Sequence, residues 1–506
     1  MIPLLPLVLC WLAGALLVAV DGRRRWATGL AAAVLGGVAA LDIALLSRLV
    51  TGADAAPFEV VTGGWPAGVG IRLRVDALTL FFSAIVALVL LAVTLHERRA
   101  EVRYRLFPGL LLWLAAGLHG AFATADLFNF YVFFEVSVIT SFVLASYGYG
   151  RAELRAAFVY VAVNLLGSVV FLIGVAGIYF ARGTLDLSAL AAGPGDDAAT
   201  ILPATLLFVA LALKLGLFPF HGWVPVLYSH ARPAVVAALS GALVHLGAYG
   251  ILRLGFGVFD EARDLGAGVL VLLGAVAAVY GGLIAVQRQR PTEIAAYAAI
   301  VHAGYLVLAL GIGGAAGTSA VLLLVASGSV DKAVMFLSLE GRDPWRSTAS
   351  LIAAASKSGM PLTLGFLAKA QLFRASLEAG VSALVVPALL LSSTLVLASV
   401  FRFWLRLRQR PAPARARGAV AVGLALVGVA LGVVPGPVLE VATHVEAAPL
   451  VAAGTGRSEK DGGRTGSPMA NRGDETGGDA SSAKARRASD RWDRRTADGD
   501  LLGAGR

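Results

Sequence analysis

The sequence predicts an all-α integral membrane protein of about fourteen transmembrane helices, and three observations carry that prediction. The first is composition: 58% of the 506 residues are hydrophobic, only 15% are charged, and the mean hydropathy is +0.78. A single soluble core stops growing at roughly 250–300 residues, so this much apolar surface needs lipid to cover it. The second is repetition: apolar runs of about 20 residues recur from the N-terminus to about residue 441, each long enough as a helix to cross the ~30 Å hydrocarbon layer. The bilayer offers no water to unpaired backbone groups, which leaves helices as the structure for these runs. The third is charge placement. Arg23-Arg24-Arg25, the 98–105 cluster, Arg151 and Arg155, Arg288 and Arg290, Arg342 and Arg346, and the 402–417 cluster fall on one side of the membrane, roughly twenty basic residues against roughly seven on the other. That side is then the cytoplasm of a bacterial inner membrane, with both termini outside it. The formal net charge of +10 is accordingly an orientation signal, and nucleic acid is not an expected partner.

In chain order the expected spans are 2–20, 27–47, 76–95, 106–123, 127–147, 156–181, 201–219, 233–256, 265–286, 293–313, 316–340, 350–376, 383–405 and 418–441. The first has no basic residues before it and no small-residue cleavage site after it, so it reads as a retained span and not a signal peptide. The loop 49–75 carries Pro57, Gly63-Gly64 and Pro66 between short β-branched stretches and predicts a small external hairpin. Residues 1–75 thus form two N-terminal spans and a loop, 76–405 a central core, and 406–452 a last span. From 453 to 506 the composition turns to Gly, Ser, Asp, Arg and Lys, too poor in apolar residues to fold, which predicts a disordered tail. The single cysteine, Cys10, cannot build an iron–sulfur cluster, zinc site or disulfide framework, so no metal or other cofactor is expected and any redox electrons must travel elsewhere.

Several ionisable residues fall where lipid should be. Glu135 lies near the middle of the fifth span, Lys214 inside the seventh, His245 in the eighth, His302 in the tenth, Lys332 in the eleventh and Lys369 in the twelfth. A charge at mid-membrane costs about 2.5–3.5 kcal/mol even on the lenient scale, so such residues mark ion or substrate pathways. One of them alone could be paired for packing or snorkelling to the interface; a series on successive helices at similar depth points to proton movement. Two of the lysines sit beside helix breakers. Gly216 and Pro219 follow Lys214, while Gly359, Pro361 and Gly365 precede Lys369, which predicts broken helices 7 and 12. Spans four to eight and nine to thirteen hold five helices each, and an odd number inverts the second copy, so two inverted five-helix repeats are expected, with Lys214 corresponding to Lys369.

The stretch Asp126-Leu127-Phe128-Asn129-Phe130-Tyr131-Val132-Phe133-Phe134-Glu135 resembles the fifth-span signature of the antiporter-like subunits of respiratory complex I. It is most similar to the D-type membrane component of the multi-subunit Mrp-type sodium/proton antiporters. Lys214 through Pro219 to His221, then Gly222-Trp223-Val224-Pro225 and Ser240-Gly241-Ala242-Leu243-Val244-His245 to Tyr249 and Arg253, look like the family's seventh- and eighth-span motifs. Ala296-Tyr297, His302 and Gly304-Tyr305 resemble its tenth span, and Gly359 to Lys369 its twelfth. The likeness runs in order over about residues 70–405 and is specific as a set.

The resemblance implies that Glu135 pairs with Lys214 across a hydrated cavity, and that loss of the pairing releases the lysine's proton. His245 and His302 would then relay protons along a polar midline, a task suited to groups titrating near neutrality, and Lys369 would be the terminal donor. It also implies work inside a larger complex, with other membrane subunits as partners and protons and sodium as the ions moved. The residues depart from the family at His245, where many relatives carry lysine. Other departures are Ser327, where a histidine is common before Lys332, Lys357 as an added positive charge, and Thr292-Glu293 in place of a basic pair. Two other readings stay open: a membrane subunit of an NADH-quinone oxidoreductase, hydrogenase-linked or inorganic-carbon uptake complex, and a structural anchor whose charges are relics. The remaining polar residues read more plainly. Asp126 caps the fifth helix, Asp42 either has a functional part or, the favoured reading, makes a helix–helix hydrogen bond, His119, His221 and His230 bond locally in preference to binding metal, and Asp331 and Lys332 diverge from one another and need separate partners.

Overall fold

The computed structural model describes residues 2–52, 57–65, 70–99, 104–148, 150–193, 197–340, 344–409 and 418–447. The predicted tail 453–506 and parts of the 98–105 and 402–417 clusters lie outside the described residues. Helix α1 (Leu5–Ala19) packs on α4 (Phe107–Ala123), and α2 (Arg25–Val50) packs along α3 (Ala77–Arg98). Between α2 and α3 the predicted hairpin is present: β1 (Phe58–Val61) pairs antiparallel with β2 (Arg72–Val75), Phe58 opposite Val75. Then follow α5 (Leu127–Ala145), α6 (Arg151–Arg182), the short α7 (Leu187–Ala192) and α8 (Ala198–Leu215). Side-chain caps fix where these helices begin: Asp76 accepts from the Thr79 amide, Asp126 from Asn129, Asp186 from Ala189 and Asp197 from Thr200.

Two helices break where the prolines and glycines predict. α8 ends at Gly216, whose φ of 72° only glycine adopts at ease, and the chain resumes as α9 (Trp223–His230). α15 (Pro344–Ser358) ends at Gly359 with φ 83°, and after Leu362, a non-glycine residue at φ 68°, α16 (Leu364–Glu378) begins. Between them α10 (Pro233–Ala238) and α11 (His245–Gly255) are joined through a π-helical turn at Leu239–Leu243. The remaining helices are α12 (Asp260–Gln287), α13 (Pro291–Ile312), α14 (Gly314–Glu340), α17 (Ser382–Arg408), α18 (Gly418–Val433) and α19 (Gly436–Ala447).

Among the described residues, eleven helices are long and apolar enough to cross a membrane, or up to twelve if the pair α18–α19, bent by 72°, is one span. The expected fourteen is not reached by this measure. α4 has only 17 residues, and the predicted twelfth span is the broken pair α15–α16. Burial is graded across the bundle. α10–α11, α13 and α14 are buried nearly all round, whereas α1, α2, α6, α12 and α17 show apolar faces outward. In lipid there is no hydrophobic drive between helices, so polar side chains gather on the enclosed helices where they find partners.

Candidate functional site

The enclosed helices bring together three of the six expected residues, and a fourth stands nearby on α8. Lys332 on α14 places its Nζ 3.2 Å from Nε2 of His245 on α11. The His245 and His302 rings stand edge to face with centroids 6.2 Å apart, His302 coming from α13. All three side chains are buried, and His245 Nδ1 and His302 Nε2 have no hydrogen-bond partner among the described residues. The local fold is shaped for them. The π turn at Leu239–Leu243 adds a residue to the helix just ahead of His245. Gly328 on α14 leaves the space that the His302 ring fills, since a Cβ there would collide with its Nε2.

Lys214, the fourth, sits in the last turn of α8, where the helix C-terminus favours a cation. Its Nζ donates to the Asn164 carbonyl of α6 at 3.4 Å and lies 4.4 Å from the centroid of the Phe134 ring. Two cavities, each with room for about one water molecule, lie side by side with Val244 in the wall of both. The first is lined by Lys214, Asn164 and Leu243, the second by His302, Lys332 and Gly216.

Glu135 and Lys369 stand at the two ends and are half-buried. Glu135 makes no direct ion pair with Lys214, although it is near enough to act on it as a charge. Its Oε1 is buried without a hydrogen-bond partner among the described residues. Lys369 donates at 2.9 Å to the Lys357 carbonyl at the end of α15, and its Nζ is 5.5 Å from the centroid of the Tyr305 ring. The Tyr305 hydroxyl in turn shares hydrogen bonds with Ser392 at 2.8 Å and Ser393 at 3.2 Å. Lys369 thus turns to the end of α15 and not to His302.

The divergence expected of neighbouring Asp331 and Lys332 is present. Lys332 turns to His245, while Asp331 Oδ2 accepts from Ser356 Oγ at 2.9 Å. Asp126 caps α5, and His230 bonds back to the Val226 carbonyl of its own helix. Asp42 makes the helix–helix bond expected of it, with His119 as the partner at 3.2 Å. Ser327 bonds to the Leu324 carbonyl and does not reach the histidines. Sequence reasoning did not find Asn164 or Ser356; a lone Asn in the apolar run of α6 was the available signal for the first. Nor did it find the ion pair that locks α11 to α3, in which Arg253 donates to Asp76 Oδ2 at 2.6 Å and to Oδ1 at 2.8 Å.

Residues 124–395 match the family described as NADH:quinone oxidoreductase/Mrp antiporter, transmembrane. Among curated proteins, the chain is 29% identical over 427 residues to a candidate antiporter subunit, mnhD2, of Staphylococcus aureus, covering 79% of this chain and 84% of that one. Among solved structures it is similar to a chain of the Mrp complex from Dietzia sp. DQ12-45-1b, with a TM-score of 0.80 and 27% identity over 88% of this chain and 96% of that one. It is also similar to a chain of respiratory complex I from Thermus thermophilus, with a TM-score of 0.73 and 25% identity over 90% of this chain and all of that one.

Proposed function

Because this chain belongs to the NADH:quinone oxidoreductase/Mrp antiporter transmembrane family, we propose that its buried lysines and histidines carry protons through the middle of the membrane. It is a multi-pass membrane protein and a proton-translocating subunit of the antiporter type, acting with other subunits of a membrane complex. The observation that carries the reading of the path is the junction of Lys332 with His245 beside His302, reached from Lys214 through two water-sized cavities that share Val244.

On this reading Glu135 is the modulating charge, Lys214 the first carrier, Lys332, His245 and His302 the central relay, and Lys369 the outlet. Water occupying the two cavities closes the gap between Lys214 and the central group, since a bridging water is nearly as good a link as a direct hydrogen bond. Imidazole suits the centre because its two nitrogens accept on one side and donate on the other. The helix breaks after Lys214 and before Lys369 support two inverted repeats, one lysine in each. The excess of basic residues on one side supports a bacterial inner membrane with both termini outside the cytoplasm. Sodium is the coupling ion that the resemblance to Mrp-type antiporters favours.

The test is reconstitution of the complex with Lys214→Ala or Glu135→Ala and measurement of proton-dependent cation flux across vesicles. Lys214→Ala is expected to abolish flux, and Glu135→Ala to lower it. Flux unchanged in Lys214→Ala would remove this axis from the transport path.

A further inference from the structure

A second pair of titratable groups is enclosed in the bundle, away from the relay. His119 on α4 and Asp42 on α2 are both buried, 3% and 1% exposed, with His119 Nε2 3.2 Å from Asp42 Oδ2. The other ring nitrogen, Nδ1, lies 2.8 Å from the carbonyl oxygen of Ala115 in its own helix. These two contacts fix where the protons are. A carbonyl oxygen can only accept, so Nδ1 carries a hydrogen. Nε2 then meets the Asp42 carboxyl either as a second N–H or as a bare lone pair. If His119 were neutral and Asp42 ionised, two lone pairs would face each other at hydrogen-bond distance inside the membrane, and the buried carboxylate would be left uncompensated. That arrangement carries the full cost of an unpaired charge in lipid. One further proton between Nε2 and Oδ2 removes both faults, whether it resides on the imidazole or on the carboxyl.

We propose that Asp42 and His119 form a proton-binding site that holds one shared proton, separate from the line of Lys214, His245, His302 and Lys369. The proton lies between Nε2 and Oδ2 and belongs to neither residue alone. The site is one helix away from Glu135. Gly117 and Gly120 of α4 lie so close to α5 that a Cβ at either would run into Ser137 or Phe133, the residues two positions to each side of Glu135. Asp42 and His119 occupy the α2 side of the same helix.

Of the elements packed on α4, α5 carries Glu135, α11 carries His245 and Arg253, and β2 carries Arg72 and Arg74. The packed face of α1 brings Cys10, fully buried, and α3 has no ionisable side chain between Ala77 and Leu95. α19 touches α2 more lightly; its Glu440 is exposed, and its His444 bonds back to the Glu440 carbonyl. The empty state of the pair sets a lone pair against a carboxylate across the α2–α4 contact.

The experiment is nitrogen-15 NMR of the whole complex in lipid bilayers, with histidine labelled and the His119 signals assigned by their loss in His119→Gln. The wild type is expected to show Nδ1 protonated and Nε2 either protonated or strongly hydrogen-bonded at neutral pH. In Asp42→Asn the carboxyl that shares the proton is gone, so Nε2 is expected to shift to an unprotonated acceptor of an ordinary amide hydrogen bond. A wild-type Nε2 that is bare and unbonded at neutral pH would overturn the proposal without recourse to any variant. So would an Nε2 signal that does not move in Asp42→Asn.

Discussion

Lys332 and His245, 87 positions apart in the chain, meet at 3.2 Å between Nζ and Nε2 in the buried centre of the bundle. Both groups can be cationic, and two like charges this close in a low dielectric cannot be held together, so a proton gained by one is lost by the other. His245→Gln keeps a hydrogen-bond acceptor facing Lys332 but cannot take up the proton. Proton-dependent cation flux in vesicles containing the complex is expected to fall by about 10²-fold or more, the usual loss when a proton-transfer group is removed. The thermal stability of the complex should stay close to wild type, because a polar side chain of similar reach still fills the site. Flux retained within a few-fold would move the relay off His245.

The space for His302 is made by an absent side chain. A Cβ on Gly328 would strike His302 Nε2, so Gly328→Ala is expected to push the ring off its line with His245. Overpacking of this kind costs typically about 1–3 kcal/mol, so the protein should still assemble while flux drops. Gly268 on α12 has open space around it and serves as the control, with alanine there changing neither stability nor flux by a comparable amount.

How much of this was legible in the sequence depends on the range of the physics. The helices, the caps at Asp126 and the breaks at Gly216 and Gly359 follow from local rules, since capping, proline and positive φ act within a few residues. The divergence of Asp331 from Lys332 follows from helix periodicity alone. Which partner each residue meets does not. The contacts of Lys332 with His245 and of Asp42 with His119 depend on tertiary packing of helices far apart in sequence. A π turn ahead of His245 and a positive φ at Leu362 have no residue signature, because tertiary packing imposes them against local preference.

Asp76 and Arg253 give a pH dependence whose sign can be worked out. Asp76 precedes α3, and burial alone would raise its carboxyl; the Arg253 guanidinium outweighs burial and holds it well below the usual carboxylate range. A carboxyl depressed in the folded state stabilises the fold at every pH above its unfolded value of about 3.9, and that stabilisation is lost as pH falls toward the folded value. Between pH 8 and about 5 this pair should therefore contribute a constant amount. Asp76→Asn leaves Arg253 buried without its carboxylate and is expected to cost about 3–5 kcal/mol at neutral pH. The gap between variant and wild type in thermal melts of the complex should narrow below about pH 4, where Asp76 takes up a proton in the unfolded chain while it stays ionised beside Arg253 in the folded one. Equal melting at pH 7 would show that the pair does not hold α11 to α3.

The outlet lysine is set by a backbone feature that can be tested apart from its charge. Lys369 donates at 2.9 Å to the Lys357 carbonyl at the C-terminal end of α15, where the helix dipole favours a cation. It reaches that carbonyl by passing Gly359, whose φ is 83° and whose missing Cβ would stand 3.1 Å from Lys369 Cδ. Gly359→Ala therefore does two things: it strains a left-handed residue by about 1–2 kcal/mol, and it presses the lysine stem away from the carbonyl. Gly380, at φ 69° with open space around it, separates the two effects, since alanine there brings the strain without touching any lysine. Both variants are expected to lower the melting temperature of the complex by similar amounts, and only Gly359→Ala to reduce proton-dependent cation flux. Equal flux in the two would mean that the seat of Lys369 at the helix break does not govern the exit of the proton, and that its charge alone suffices.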